Sequence, residues 1–147
     1  MNETATAGHS IVIERELPHP VHKIWRALTE PELLGQWLMS TDFKPVVGEA
    51  FSFRAPAQPH WNGVTDCRVL SLEPQRRLSY SWDSSGAEAA RGLKTVVTWT
   101  LTPTPRGVLL RLEHSGFRAD QENNYRGASY GWQRFVSALE RVLATFG

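Results

Sequence analysis

Residues 124–146, Asn124-Tyr125-Arg126-Gly127-Ala128-Ser129-Tyr130-Gly131-Trp132-Gln133-Arg134-Phe135-Val136-Ser137-Ala138-Leu139-Glu140-Arg141-Val142-Leu143-Ala144-Thr145-Phe146, decide how the chain is read. Placed on a helix, Ala128, Trp132, Phe135, Val136, Leu139, Val142, Leu143 and Phe146 fall on one face, with the spacings of a 3.6-residue repeat. Gln133, Ser137, Glu140 and Arg141 fall on the side left to solvent. Full burial of one large apolar side chain contributes about 1.5–3 kcal/mol, so this stripe is expected to supply a large share of the core. No other stretch reads as a helix of that length.

Outward from that helix, the middle of the chain has a period of two. Val108, Leu110, Leu112 and His114 alternate with Leu109, Arg111 and Glu113, and Thr95, Val97, Trp99 and Leu101 alternate with a more polar set. Leu78, Tyr80 and Trp82 alternate with serines, Thr65 to Glu73 makes a strand ended by Pro74, and Phe51 and Phe53 begin another after Gly48. Residues 55–63 hold two prolines, an Asn-Gly and a tryptophan and are read as a loop; residues 83–92 are a polar connection. Short turns between these runs predict an antiparallel meander.

The start of the chain differs. Ile11, Ile13, Arg15 and Leu17 share one face of a first strand, which places Arg15 among apolar neighbours. A helix follows from Pro20 with Val21, Ile24, Trp25 and Leu28 as its stripe, and it should stop before Pro31, because the residue preceding a proline avoids α geometry. A second short helix from Pro31 turns Leu33, Leu34 and Trp37 inward, so the two helices make a V. Residues 1–9 are read as a loose tail and 10–147 as a single domain.

Composition narrows the function. With 147 residues the chain can build a core without disulfides or metal, and a net charge of +1 without a basic block gives no case for nucleic acid or an anionic membrane. No apolar run approaches the roughly 20 residues that span a bilayer. The start is polar and lacks the pattern of a signal peptide, and a single cysteine, Cys67, cannot close an internal disulfide. A cytoplasmic location is expected.

Several motifs stand in a recognisable order. They are Val21-His22-Lys23-Ile24-Trp25-Arg26-Ala27-Leu28-Thr29-Glu30-Pro31 followed by Leu34 and Trp37; Val69-Leu70-Ser71-Leu72-Glu73-Pro74-Gln75-Arg76-Arg77-Leu78; and Thr95-Val96-Val97-Thr98-Trp99-Thr100-Leu101-Thr102-Pro103. Leu112-Glu113-His114-Ser115-Gly116-Phe117 and Gly131-Trp132 complete the set. Together they resemble the heat-shock protein 90 ATPase activator homologue family of the START-like, or SRPBCC, superfamily. The resemblance implies an α+β helix-grip fold, also known from birch-allergen-like proteins, in which a curved antiparallel sheet grips the C-terminal helix. It does not assign a function, since one fold hosts many.

For chemistry, the chain has neither GxGxxG after a strand nor GxxxxGK[ST], and His9, His19, His22, His60 and His114 form no HExxH and have no CxxC companion. No metal, cofactor or catalytic residue is therefore assigned. Cys67 reads as a small buried hydrophobe without an adjacent base. His114 and Tyr80 lie on inward faces and have two readings: core groups satisfied by hydrogen bonds, or groups that orient a ligand. Arg15, if internal, needs an acceptor. Trp25, Trp37, Trp99 and Trp132 fit core stripes, whereas Trp61 and Trp82 suit a pocket rim. Gly127 and Gly131 each cost a helix about 1 kcal/mol, which suggests a close approach or room kept open, although a late helix start serves equally for Gly127.

The space between sheet and helix is expected to be a ligand cavity lined by Arg15, Phe53, Trp61, Tyr80, Trp82, Trp99, His114, Trp132 and Phe135. The reading is a binding domain for a small apolar or aromatic ligand, without catalysis of its own. A polyketide cyclase or aromatase-like enzyme using the cavity's acid–base groups and a chaperone-interacting module are the alternatives. A chaperone contact and a homodimer stay open as partners.

Overall fold

The computed structural model describes residues 9–59, 61–86, 89 and 92–146. The tail expected over residues 1–8 lies outside these, as do His60 in the 55–63 loop and part of the 83–92 connection. His9 does not belong to the tail: it opens β1 (His9–Leu17) and pairs with Phe117.

The V of short helices follows, α1 (Val21–Thr29) and α2 (Pro31–Trp37). Glu30 between them has φ −93° and ψ 122°, the extended geometry that Pro31 demands of its predecessor. The Trp37 indole closes the V by donating to the Ala27 carbonyl at 2.9 Å. Then come β2 (Ser40–Thr41), β3 (Ala50–Arg54), β4 (Val64–Glu73), β5 (Arg77–Ser84), β6 (Lys94–Thr104) and β7 (Gly107–Phe117). Among the described residues they form one antiparallel sheet in the order β1-β7-β6-β5-β4-β3-β2, in which a jump in chain order sets the first strand beside the last. α3 (Glu122–Leu143) buries Trp132, Val136, Leu139, Val142 and Leu143. This is the α+β helix-grip architecture.

α3 starts two residues earlier than the stripe suggests and stops three residues sooner. Its start is pinned by Gln121, a buried residue whose side chain accepts from the Arg118 amide at 2.9 Å and donates to the Gly92 carbonyl at 3.1 Å. After Leu143 the chain turns, and Phe146 lies beneath the cations of Lys23 and Arg26, 5.1 and 5.3 Å from its ring centre.

Two irregularities shape the concave face. In β4 a bulge lies between Val69, opposite Tyr80, and Ser71, opposite Ser79. Thr65, Cys67 and Val69 point inward before it and Leu72, opposite Leu78, after it; Leu70 is left 45% exposed. In β7, Gly116 has φ +101°, and a Cβ there would press on Thr95 Cα at 3.3 Å. That turn of the backbone returns Phe117 to the interior, with its ring 4.5 Å from that of His114. Among the described residues, no helix is long and apolar enough to cross a membrane.

Candidate functional site

The concave face of the sheet and the inner face of α3 meet in one body of aromatic rings. Tyr80 and Trp82 on β5 stand beside Trp99 on the adjacent β6 and, across β4, against Phe53 on β3, and α3 lowers Trp132 onto them. The Trp132 ring lies 5.2 Å from Trp82, 5.6 Å from Trp99 and 5.6 Å from Phe135, centre to centre. Phe53 lies 5.3 Å from Trp82 and 5.9 Å from Tyr80. These are the tilted and edge-to-face separations that aromatic quadrupoles favour.

Polar atoms inside this body are satisfied from within. Trp132 Nε1 donates to His114 Nδ1 at 2.8 Å. An indole N–H can only donate, so Nδ1 must carry a lone pair and Nε2 the proton of the neutral ring. Nε2 then donates to Thr95 Oγ1 at 2.8 Å, and Thr95 Oγ1 donates to the Trp82 carbonyl. Trp99 Nε1 donates to the Tyr80 hydroxyl at 2.9 Å. Among the described residues no buried side-chain N or O atom lacks a partner. Burial depresses the basicity of His114 to a pKa of about 3 and pushes the Tyr80 hydroxyl well above its ordinary value. Cys67 is likewise buried, its thiol raised first by desolvation and then by the charges of Asp83, Asp66 and Asp42.

Of the nine residues expected around a cavity, the structure brings seven together: Phe53, Tyr80, Trp82, Trp99, His114, Trp132 and, at the edge, Phe135. Trp82 is core rather than rim, at 9% exposed, and the Tyr80 hydroxyl lies inside, held by Trp99. Arg15 shares its face with Ile11, Ile13 and Leu17 but is not internal. Its guanidinium runs out to the rim, donating to Gln133 Oε1 on α3 and to the Glu14 carbonyl, both at 3.0 Å and both exposed. A long side chain can leave an apolar face in this way and keep its charge in water. Trp61 sits apart in the 55–63 loop, its indole donating to the Val64 carbonyl at 3.1 Å.

Sequence reading missed a groove outside these rings. An open groove of about 660 Å³ runs along the outer side of α3, over Gly131, Phe135, Ala138 and Trp37 of α2. Trp37 and Phe135 are its inner wall and also the outermost members of the ring body, since Trp37 lies 5.7 Å from Trp99. The signal in the sequence was Gly131, where the helix gives up a side chain: a Cβ there would meet only the Phe135 ring, at 3.8 Å.

Comparison with known proteins agrees with this architecture. The chain is 48% identical to protein MLL2253 from Mesorhizobium loti, over 95% of this chain and 99% of that one, with a TM-score of 0.85. DynU16, a putative protein in the dynemicin biosynthetic locus, is 26% identical over 94% of this chain and 48% of its own, with a TM-score of 0.75. The Aha1 dimer from Colwellia psychrerythraea, at 21% identity over 92% and 96% of the two chains, shares the fold with a TM-score of 0.77. No curated protein matches the sequence. The model of the family described as "Activator of Hsp90 ATPase homolog 1-like protein" matches residues 18–144, from the turn before α1 to the end of α3, and the chain belongs to that family.

Proposed function

We propose that this chain is a small-molecule binding domain for an apolar or aromatic ligand, with no catalysis of its own. One observation supports the reading: the α3 groove has an aromatic floor, in which Trp37 and Phe135 face the groove and are backed by the packed rings of Trp99 and Trp132. A flat ligand laid against Phe135 gains apolar burial and ring contacts on a wall that the core rings behind it hold rigid. The relation to DynU16, a protein of a biosynthetic locus, supports a role beside small-molecule chemistry. The cyclase alternative has less support. With both ring nitrogens of His114 committed and its pKa near 3, and with the Tyr80 hydroxyl raised, neither group is poised to move protons near neutral pH.

Titration with the uncharged probe N-phenyl-1-naphthylamine, followed by quenching of tryptophan fluorescence, tests the reading. Saturable binding is expected, weakened by roughly 0.5–1.5 kcal/mol in Phe135→Ala, the worth of one aromatic contact. Absence of saturation, or equal affinity in the variant, counts against it. Native mass spectrometry of protein taken gently from its source would identify a carried ligand.

A further inference from the structure

The groove along α3 has a charge pattern as well as an apolar wall. Its lining includes Arg134 and Arg141 and no acidic residue. The two arginines are seven residues apart, two turns of helix, so they share one side of α3 with about 10 Å between their backbone positions. Phe135 and Ala138 lie between them. Among the described residues neither guanidinium belongs to an ion pair, whereas Arg126, on the same helix, pairs with Glu122 at 2.7 Å. Arg134 is held over the Tyr130 ring, 5.7 Å from its centre, a contact that positions the cation without neutralising it. Tyr130 is itself 67% exposed, as is unusual for so large a ring.

An apolar strip between two uncompensated forked cations is complementary to an apolar body that carries an acid. We propose that the groove selects anionic ligands: flat or elongated apolar molecules with a carboxylate, sulfonate or phosphate group, whose body lies on Phe135, Ala138 and Trp37 and whose oxygens accept from both Arg134 and Arg141. The guanidinium fork matches such oxygens in a two-point contact. This rests on the binding reading above and narrows it from apolar ligands in general to apolar acids.

The test compares two probes with the same aromatic frame, 8-anilinonaphthalene-1-sulfonate and N-phenyl-1-naphthylamine, which differ by the sulfonate. The folded wild-type protein should bind the sulfonate about tenfold more tightly, since each exposed arginine–anion contact is worth roughly three- to fivefold. Added salt should narrow that margin. Arg134→Gln and Arg141→Gln should each weaken the sulfonate by about three- to fivefold, weaken the neutral probe distinctly less, and leave the melting temperature within a degree or so. Equal affinity for the two probes, or sulfonate binding indifferent to both arginine variants, overturns the anion preference while the binding reading survives. Failure of both probes to saturate, or binding insensitive to Phe135→Ala, overturns both.

Discussion

Trp132 on α3 and His114 on β7 are joined by a 2.8 Å hydrogen bond from indole N–H to imidazole Nδ1, buried on both sides. Through His114 Nε2 and Thr95 the same chain of donors ends at the Trp82 carbonyl on β5, so one polar thread crosses from the helix to the middle of the sheet. Its main effect is orientation, since every group in it would otherwise be costly to bury. His114→Phe strands one donor, the Trp132 indole, and takes from the Thr95 oxygen the N–H it accepts, while the Thr95 hydroxyl keeps its bond to the Trp82 carbonyl. It should cost about 1–3 kcal/mol in urea unfolding. His114→Gln can still accept from one side and donate to the other and should lose less. If both variants unfold like the wild type, the thread carries no stability. If His114 also touches ligand, the phenylalanine variant weakens probe binding as well, and unchanged affinity removes that role.

The same histidine makes the fold sensitive to acid. Its folded pKa of about 3 lies below the ordinary 6.5, so between these values the unfolded chain takes up a proton that the native ring refuses. Stability therefore rises with pH across that window and is lost as pH falls below about 6.5, by up to about 2 kcal/mol at pH 5. Phe117, Trp82, Trp132 and Thr95 face the ring and none of them is charged, so desolvation alone sets the shift. His19 is shifted in the same direction, chiefly by desolvation and then by Lys23, so the wild type must be compared with a variant. In His114→Gln the fall in melting temperature between pH 6.5 and 5 should be much shallower. An equal slope in both proteins would assign the acid sensitivity elsewhere.

Cys67 should be chemically silent in the native state. Its side chain is buried on β4 between Thr65 and Val69, and burial together with three nearby aspartates holds the thiol in its protonated form. At pH 8 a disulfide reagent such as Ellman's should find no fast-reacting thiol until denaturant is added, when one should appear. Prompt reaction of the folded protein would mean that β4 opens readily at this position.

Much of this arrangement was legible in residue spacing, because burial of one face imposes a period that side-chain type records. The α3 stripe, the break at Glu30-Pro31 and the inward sets on β5, β6 and β7 all follow from it. Irregular backbone leaves no such record. Leu70 and Leu72 look alike in the sequence, yet the β4 bulge sends one to solvent and the other onto Leu78. Ser40–Thr41 is too short to show any period. Arg15 was placed on its correct face, but the length of its side chain carried the charge to Gln133 at the rim. Thr95 and Trp132, the partners of His114, are 19 and 18 residues away in the chain. Only strand register and helix placement bring them together, so His114 could be marked from its position in β7 without its role being resolved.

Gly127 and Gly131 give the last test, because both sit inside α3 and neither is there for close packing. A Cβ at Gly127 would meet nothing within 4 Å, and at Gly131 only Phe135 Cε2 at 3.8 Å, an ordinary contact. Replacing glycine by alanine at a helical position without steric conflict should stabilise by about 0.4–1 kcal/mol, largely through the unfolded chain. Both Gly127→Ala and Gly131→Ala should therefore raise the urea midpoint by similar amounts. They should differ in binding. Gly127 is outside the groove, whereas a methyl group at Gly131 enters it beside Phe135, so only Gly131→Ala should weaken N-phenyl-1-naphthylamine. A stabilised Gly131→Ala that binds the probe as well as Gly127→Ala does would mean that the glycine keeps no room for a ligand. A destabilised Gly131→Ala would point instead to a closer approach of α2 to α3 than the 3.8 Å contact implies.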